Sequence, residues 1–537
     1  MANWDESDSS SRYFPIFQRD EFKLRLKSYI KERSCYSVAA TTSDADIAES
    51  ALSFFSEILI ELGLSDGQFV SAEGVLYVYA KERGVWEAIA ERHIRSVLQL
   101  FSGALVAEVD SKNKHKAIKL SAGTCKSIAS LIINFPFHQD DKFFDFTRPG
   151  FNDQRRFYAV TAYGVEPKPK SPANRSRVFF DEDLCMEAKA KEPAEWLNFL
   201  HDIFYNPDLK EYDDPEEETT RIVNLDQQWI GAAVCGLSTK LDPRVLTLVG
   251  GGSNGKSTVM KAIAALFPSE SVTTVDPQDF GSNNAIVPLL DSLINIVAEI
   301  DPKHALSANS NYKSIIAGDK KSVERKYVDP FCFCPGSAHL FGCNELPQTH
   351  GDSSHGMARR QLFIRCRNRF VAGAGAVSEE QILDNIKPEN GQILRWAIDG
   401  AISLIKAGAY SIPVSVRAEI EEWKADNNPV ERFLADCYEI CNDEDEKAPN
   451  KKGNFVPLKV IGENYQAWRM EGGDKPYSNT ELGRKIRSIN GVIWGNSSGY
   501  GITGVGAYLK RRAAGSVRVR EKGQGELLTP EAPYPMN

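Results

Sequence analysis

Nine consecutive residues, Gly250-Gly251-Gly252-Ser253-Asn254-Gly255-Lys256-Ser257-Thr258, have the types and order needed to hold a polyphosphate. Glycines let the backbone curl until successive N–H groups face one point, and such a nest binds anions. Lys256 stands where its ammonium reaches the β- and γ-phosphates of a nucleoside triphosphate, and the Ser257 hydroxyl where it ligates Mg2+. The pattern G-x4-G-K-S carries meaning only between a strand and a helix. Both are legible here. Val245-Leu246-Thr247-Leu248-Val249 is an apolar run of strand length, and Val259, Ile263 and Leu266 recur at helical spacing. ATP and Mg2+ are therefore the expected ligands, with residues 250–258 as their cradle.

Hydrolysis asks for acids at the tip of a neighbouring strand. Leu293-Ile294-Asn295-Ile296-Val297-Ala298 reads as that strand, followed by Glu299 and Asp301. Glu299 is placed to polarise the attacking water, and either acid to steady the metal with Ser257. Many phosphate-loop ATPases carry two adjacent acids here, and this chain has Ala298-Glu299. A third apolar run, Ala338-His339-Leu340-Phe341-Gly342-Cys343, ends at Asn344, whose amide suits a γ-phosphate or a lytic water. Arg359-Arg360 precede a fourth run, Leu362-Phe363-Ile364, and arginine stabilises charge on a transferred phosphoryl group.

These groups need a scaffold. Residues 222–370 alternate strand and helix patterns, the mark of an α/β domain with a parallel sheet. The 537 residues suit about three or four domains. Six segments are expected: an α+β domain over 1–139, a segment and acidic linker over 140–221, the ATPase core over 222–375, a helical extension over 376–428, a C-terminal domain over 429–512 and a flexible tail over 513–537. Residues 140–180 show no clear period. Residues 68–79 read as a hairpin, 193–205 and 257–267 as helices, and 206–218 as a linker broken by Pro207 and Pro215. A further helix is expected over 430–441. No apolar stretch approaches the ~20 residues that span a bilayer, and the polar, acidic N-terminus has no signal-peptide core. Among ten cysteines there is no C-x-x-C pair, and Cys332 and Cys334 read as small apolar residues on one strand face. A reducing, cytoplasmic setting follows, with no membrane partner. The net charge of −9 means that any nucleic acid must be met by local basic clusters.

The ordered set G-G-G-S-N-G-K-S-T, A-E-I-D, Ile315-Ile316-Ala317-Gly318-Asp319-Lys320-Lys321, the strand ending in Asn344 before Leu346-Pro347, and Arg359-Arg360 resembles a superfamily 3 helicase. More narrowly, it resembles the helicase part of poxvirus-type and satellite-phage-type primase-helicases of phages and plasmids. The likeness covers roughly residues 140–510, with its specific motifs between 250 and 365. It implies an AAA+ core in a homo-oligomeric ring, a hexamer by the family's habit, that hydrolyses ATP while moving on single-stranded or forked DNA. It implies that Lys256, Glu299, Asn344 and either Arg359 or Arg360 are catalytic, the arginine acting in a neighbouring subunit's site. It also implies a channel hairpin, here bearing Lys320, Lys321, Arg325 and Lys326 as DNA contacts. Residues 181–204, with Trp196 and Phe199, and Leu225-Asp226-Gln227-Gln228-Trp229-Ile230-Gly231 resemble the family's lead-in to the first strand. Residues 458–489 look like its small winged helix, where Arg484, Lys485 and Arg487 lie against DNA or form an ordinary charged face. A helical collar joins the two. Asp44 and Asp46 form a lone D-x-D, so the chain is expected to lack primase chemistry and to work with a separate primase or host replication proteins. An origin-binding or loading scaffold, in which ATP serves assembly, is the alternative; a motor in defence or DNA packaging is a third.

Overall fold

The computed structural model describes residues 16–32, 36–38, 43–102, 105–108, 115–117, 119–134, 140, 142–181, 184, 186, 191–211, 214–290, 292–301, 306–307, 310–324, 331–350, 355–368, 370, 377–440, 455–471, 476–487, 489, 492, 494–499 and 502–511. They divide into two compact units, one running to residue 420 and one from 421 onward.

The first unit is built on a five-stranded sheet: β1 (Val245–Val249), β2 (Val272–Thr273), β3 (Ile294–Val297), β4 (Ala338–Cys343) and β5 (Gln361–Arg365). Its order is β2-β3-β4-β1-β5, and every pair is parallel. All residues of β1 and β4 are buried, as parallel strands covered on both faces require. That is why they read as continuous apolar runs and do not alternate. The fold is thus mixed α/β with a parallel sheet.

Six helices of this unit matter for the site: α1 (Ala194–Phe204), α2 (Pro215–Val234), α3 (Lys256–Ala264), α4 (Ser310–Ile316), α5 (Glu379–Ile386) and α6 (Asn390–Ala407). The helix after the glycine-rich loop is shorter than the expected 257–267. The proposed linker over 206–218 is a correction. Its last residues open α2: the Asp214 side chain accepts from Glu216 N at 2.9 Å, and Pro215 occupies the first turn, where its missing N–H is not needed. Glu216, Glu217 and Glu218 follow in that turn, where the helix dipole favours anions. Acidity there marks a helix start. Residues 140–180 also hold more order than their pattern suggests: Gly150–Asn152, Phe157–Thr161 and Gly164–Lys168 form an antiparallel sheet. Phe157, Tyr158, Ala159 and Val160 are all buried, so no alternation exists to be read.

Upstream, the expected hairpin is part of a three-stranded antiparallel sheet, Phe69–Ala72, Val75–Ala80 and Val85–Ile89. Asp44 and Asp46 lie in the first turn of the helix Asp44–Glu61, where Asp46 forms a capping box with Ser43. Among the described residues, no helix is long and apolar enough to cross a membrane.

The second unit holds helices Pro429–Cys437, Leu458–Glu471 and Asn479–Arg487 around a sheet of Tyr438–Ile440, Phe455–Pro457, Trp494–Gly499 and Ile502–Arg511. The helix expected to reach 441 stops at Cys437, and the chain turns into a strand. Phe433, Tyr465, Leu482 and Ile486 form the unit's core. Lys485 lies 4.8 Å over the Tyr477 ring and Arg487 4.6 Å over Trp494, while Arg484 is exposed.

In the first unit α2 and α6 cross with their backbones nearly in contact. A Cβ on Gly231 would fall 2.1 Å from the Ala397 carbonyl oxygen, which is backbone and cannot swing aside. Overpacking at a rigid crossing costs about 1–3 kcal/mol or more. Gly231→Val is expected to destabilise this unit by at least that much, read as a lower urea midpoint, while Ser→Ala at the exposed Ser257 leaves the midpoint unchanged. Equal midpoints for Gly231→Val and the native chain would contradict the packing described.

Candidate nucleotide site

The loop between β1 and α3 is pinned on both flanks. Gly250 N donates to the Cys343 carbonyl at the end of β4, at 3.0 Å. On the other side Asn254 Nδ2 donates to the Cys366 carbonyl just past β5, at 3.1 Å. The Asn254 side chain folds back over the loop, and a Cβ on Gly250 would sit 2.1 Å from its Nδ2. Only glycine leaves that path open. Gly252, Ser253 and Gly255 take φ of 55°, 53° and 77°, the left-handed turns that curl the loop. Lys256 is buried, and its Nζ donates to the Gly250 carbonyl and, at 3.2 Å, to Asn254 Oδ1. The ammonium is thus held over the loop's concave side by two neutral oxygens, which a polyphosphate would outcompete. Ser257 is exposed at the N-terminus of α3, beside Thr258, which is buried.

Because β4 lies between β1 and β3, its tip separates the loop from the acids. Asn344 follows β4, Glu299 follows β3, and Asn344 Nδ2 donates to Glu299 Oε1 at 2.6 Å. Ile300 N donates to the Gly342 carbonyl at 2.8 Å, which ties the acidic turn to β4. Glu299, Asp301 and Asn344 are exposed. Burial pushes the Cys343 thiol up to about 12, with Lys256 and Arg365 pulling it down and Glu299 adding to the rise. The three charges therefore act on one point at the tip of β4. Residues 250–258, Glu299 and Asn344 are brought together; Asp301 lies two residues further along.

The arginine pair is elsewhere. Arg360 precedes β5, and its carbonyl accepts from Val245 N, the first residue of β1, at 2.7 Å. At ~3.3 Å per residue, the length of β1 separates this edge from the loop by about 16 Å. Arg359 and Arg360 therefore do not reach their own chain's loop. Arg359 is exposed. Arg360 turns inward, with Nη1 donating to the Gly356 carbonyl at 2.6 Å; burial and then Arg359 lower its pKa, against Asp319 and Tyr312.

Asp319 lies two residues before a strand pair in the region of the expected hairpin: Lys321–Val323 runs antiparallel to Phe331–Phe333. The base of that pair is thus on the same edge as Arg360. Lys320 is exposed. Lys321 is half-buried: its Nζ donates to Asn311 Oδ1 at 2.9 Å, and burial lowers its pKa, with Asp319 opposing. Arg325 and Lys326 lie outside the described residues. Cys332 is exposed and Cys334 half-buried, so the apolar reading of this face is corrected: Phe331 and Phe333 take the inward side.

Residues not anticipated also border the site. Arg365, at the tip of β5, pairs through Nε with Glu419 Oε1 at 2.5 Å, and Arg367 approaches the same oxygen at 3.5 Å. The signal was the R-C-R that ends an apolar run. Behind Cys366, Asp226 of α2 is fully buried, and among the described residues neither carboxylate oxygen has a hydrogen-bond partner. Burial raises its pKa to about 7.

Residues 248–360 match a family described as a family of unknown function, DUF5906. That span holds the loop, Glu299, Asn344 and the arginine pair. A comparison with curated proteins gives no match. Among solved structures, the chain is similar to the apo C-terminal region of NrS-1 (residues 305–718), with 14% identity and a TM-score of 0.43 over 84% of this chain and 97% of that one. An A form of the same apo region is similar at 15% identity and a TM-score of 0.42, over 85% of this chain and 98% of that one.

Asp226 yields a pH prediction. Its folded pKa lies above the unfolded value of 3.8, so the folded state binds the proton more tightly. Stability is full below ~4 and falls by roughly 1.4 kcal/mol per unit as pH rises toward ~7, where the loss levels off. Asp226→Asn is expected to flatten this decline and to be the more stable protein at pH 8. Parallel stability-versus-pH curves from urea denaturation would contradict the assignment.

Proposed function

We propose that the chain is an ATP-dependent DNA helicase of superfamily 3 type, with an AAA+ core, that works as a ring in the replication of a phage, plasmid or other mobile element. The observation that carries this reading is the hydrogen-bonded pair Asn344 and Glu299 at the tips of β4 and β3, beside a loop holding Lys256. A phosphate-binding loop alone serves many proteins. An acid and an amide aimed at the same strand edge supply what hydrolysis of the terminal phosphate needs.

In this reading residues 250–258 cradle the phosphates of ATP. Ser257 holds Mg2+, helped by Glu299 and Asp301, and the ion supplies charge neutralisation on the phosphates. Glu299 orients and deprotonates the attacking water, and Asn344 fixes Glu299 and senses the γ-phosphate. Arg359, exposed on the opposite edge, serves the site of the next subunit. A ring is the arrangement that lets one edge of each copy complete the other edge of its neighbour. Arg360 supports Arg359 from within. The hairpin, on that same edge, carries Lys320 toward single-stranded DNA, with Arg325 and Lys326 as further contacts; Lys321 braces its base. The second unit, three helices with a long antiparallel strand pair, suits a winged helix. A separate primase or host replication proteins would be the partners, in a cytoplasm.

Single-stranded DNA is expected to raise ATP turnover several-fold, and the chain to open a forked duplex. Lys256→Ala abolishes both, because it removes a phosphate contact. Lys320→Ala with Arg325→Ala and Lys326→Ala leaves basal turnover but loses the stimulation by DNA. Strand opening by Lys256→Ala would overturn the motor. A native chain that turns over ATP but opens no fork, and whose duplex binding survives the hairpin substitutions, would favour a loading scaffold.

A further inference from the structure

The phosphate loop has a direction. Its γ-phosphate end faces Asn344 and Glu299, on the β4 side of β1, so a nucleoside must leave on the β5 side. That side carries a built wall. Asn368, just past β5, uses Nδ2 to hold the Asp202 carbonyl at 2.6 Å and the Tyr205 carbonyl at 2.7 Å, which anchors the C-terminal end of α1. Phe370 N then donates to the Ser253 carbonyl of the loop at 2.8 Å. At Gly255, the last loop residue before Lys256, a Cβ would fall 2.7 Å from Ile203 Cδ1 and 3.4 Å from Phe370 Cε2. An aliphatic tip and an aromatic ring thus close on the loop from two elements far apart in sequence.

Phe370 is 46% exposed. Single exposed apolar residues are ordinary. What distinguishes this one is that its backbone is fixed to the phosphate loop while its ring stays open beside it. The neighbouring amide is spent on two backbone carbonyls. The wall therefore offers a π-face and apolar carbon, and it suits the flat face of a base.

We propose that Phe370, backed by Ile203, is the platform on which the base of the bound nucleoside triphosphate stacks. This rests on the reading of residues 250–258 as a phosphate site and adds how the rest of the nucleotide is held. Because a base is gripped through its face, the contribution is separable from that of the phosphates, which Lys256 and the loop N–H groups hold.

The test compares ATP with inorganic tripolyphosphate, each titrated with Mg2+ into the full chain by calorimetry. The native protein is expected to bind ATP more tightly than tripolyphosphate. Phe370→Ala weakens ATP binding by about tenfold, the size that loss of a stacking aromatic gives, and leaves tripolyphosphate unaffected. Phe370→Trp keeps native ATP affinity, and Lys256→Ala weakens both ligands. Native ATP affinity in Phe370→Ala, or an equal loss of both ligands in that variant, would overturn the platform while sparing the phosphate site. A native chain that binds neither ligand would overturn the phosphate site and the platform with it.

Discussion

The site depends on the insertion of β4 between β1 and β3. In a parallel sheet every strand ends on the same edge, so its loops crowd there, and ligands of open α/β sheets bind outside those carboxyl ends. Register makes this concrete: Val249 pairs with Cys343 on one side and with Arg365 on the other, and Val297 pairs with Phe341. The loop after Val249 is flanked on both sides by chain it can hydrogen-bond, and it does so through Gly250 and Asn254. The same insertion sets Asn344 between the loop and Glu299. Were β3 next to β1, the acid would meet the loop directly and no amide would stand between them.

The sheet's two edges divide the labour. The carboxyl edge gathers the loop, Glu299, Asn344 and Arg365. The opposite edge gathers Arg359, Arg360, α4 and the hairpin base, linked by the Tyr312–Gln361 hydrogen bond at 3.2 Å. The glycine-rich loop and the exposed Arg359 thus lie on opposite edges of one chain's sheet. Buried charge and polarity stiffen the whole: Asn295 holds Val275 by both its backbone groups, and Glu218 accepts from Ser415 N and from Arg221.

Much of this was legible in the sequence, and for identifiable reasons. The strands β1, β3, β4 and β5 stood out because burial on both faces makes parallel strands continuous apolar runs. The loop stood out because its glycine-rich curl ends on a lysine at the start of a helical pattern. Other features could not be read. In the short sheet of residues 150–168, the first two strands are buried without alternation. Pro215 looked like a breaker because its neighbours looked like a linker, whereas Asp214 makes it a first-turn residue. Cys332 lies outward because two phenylalanines beside it claim the interior. Arg359 and Arg360 follow the site motifs closely in sequence, yet strand length puts them on the far edge. Arg365 finds Glu419 and Asn368 finds Asp202 only through the tertiary fold. Asp226 sits in an amphipathic helix, where nothing local says that it is the buried face.

The central claim is that Lys256, Glu299 and Asn344 form one hydrolytic site. The most direct measurement is nucleotide binding and turnover in Glu299→Gln, which keeps the shape of the side chain and an acceptor for the Asn344 amide but removes the base. The account predicts ATP affinity close to that of the native chain with turnover slowed by roughly 100-fold or more, the scale of a lost general base. Turnover at the native rate would contradict it.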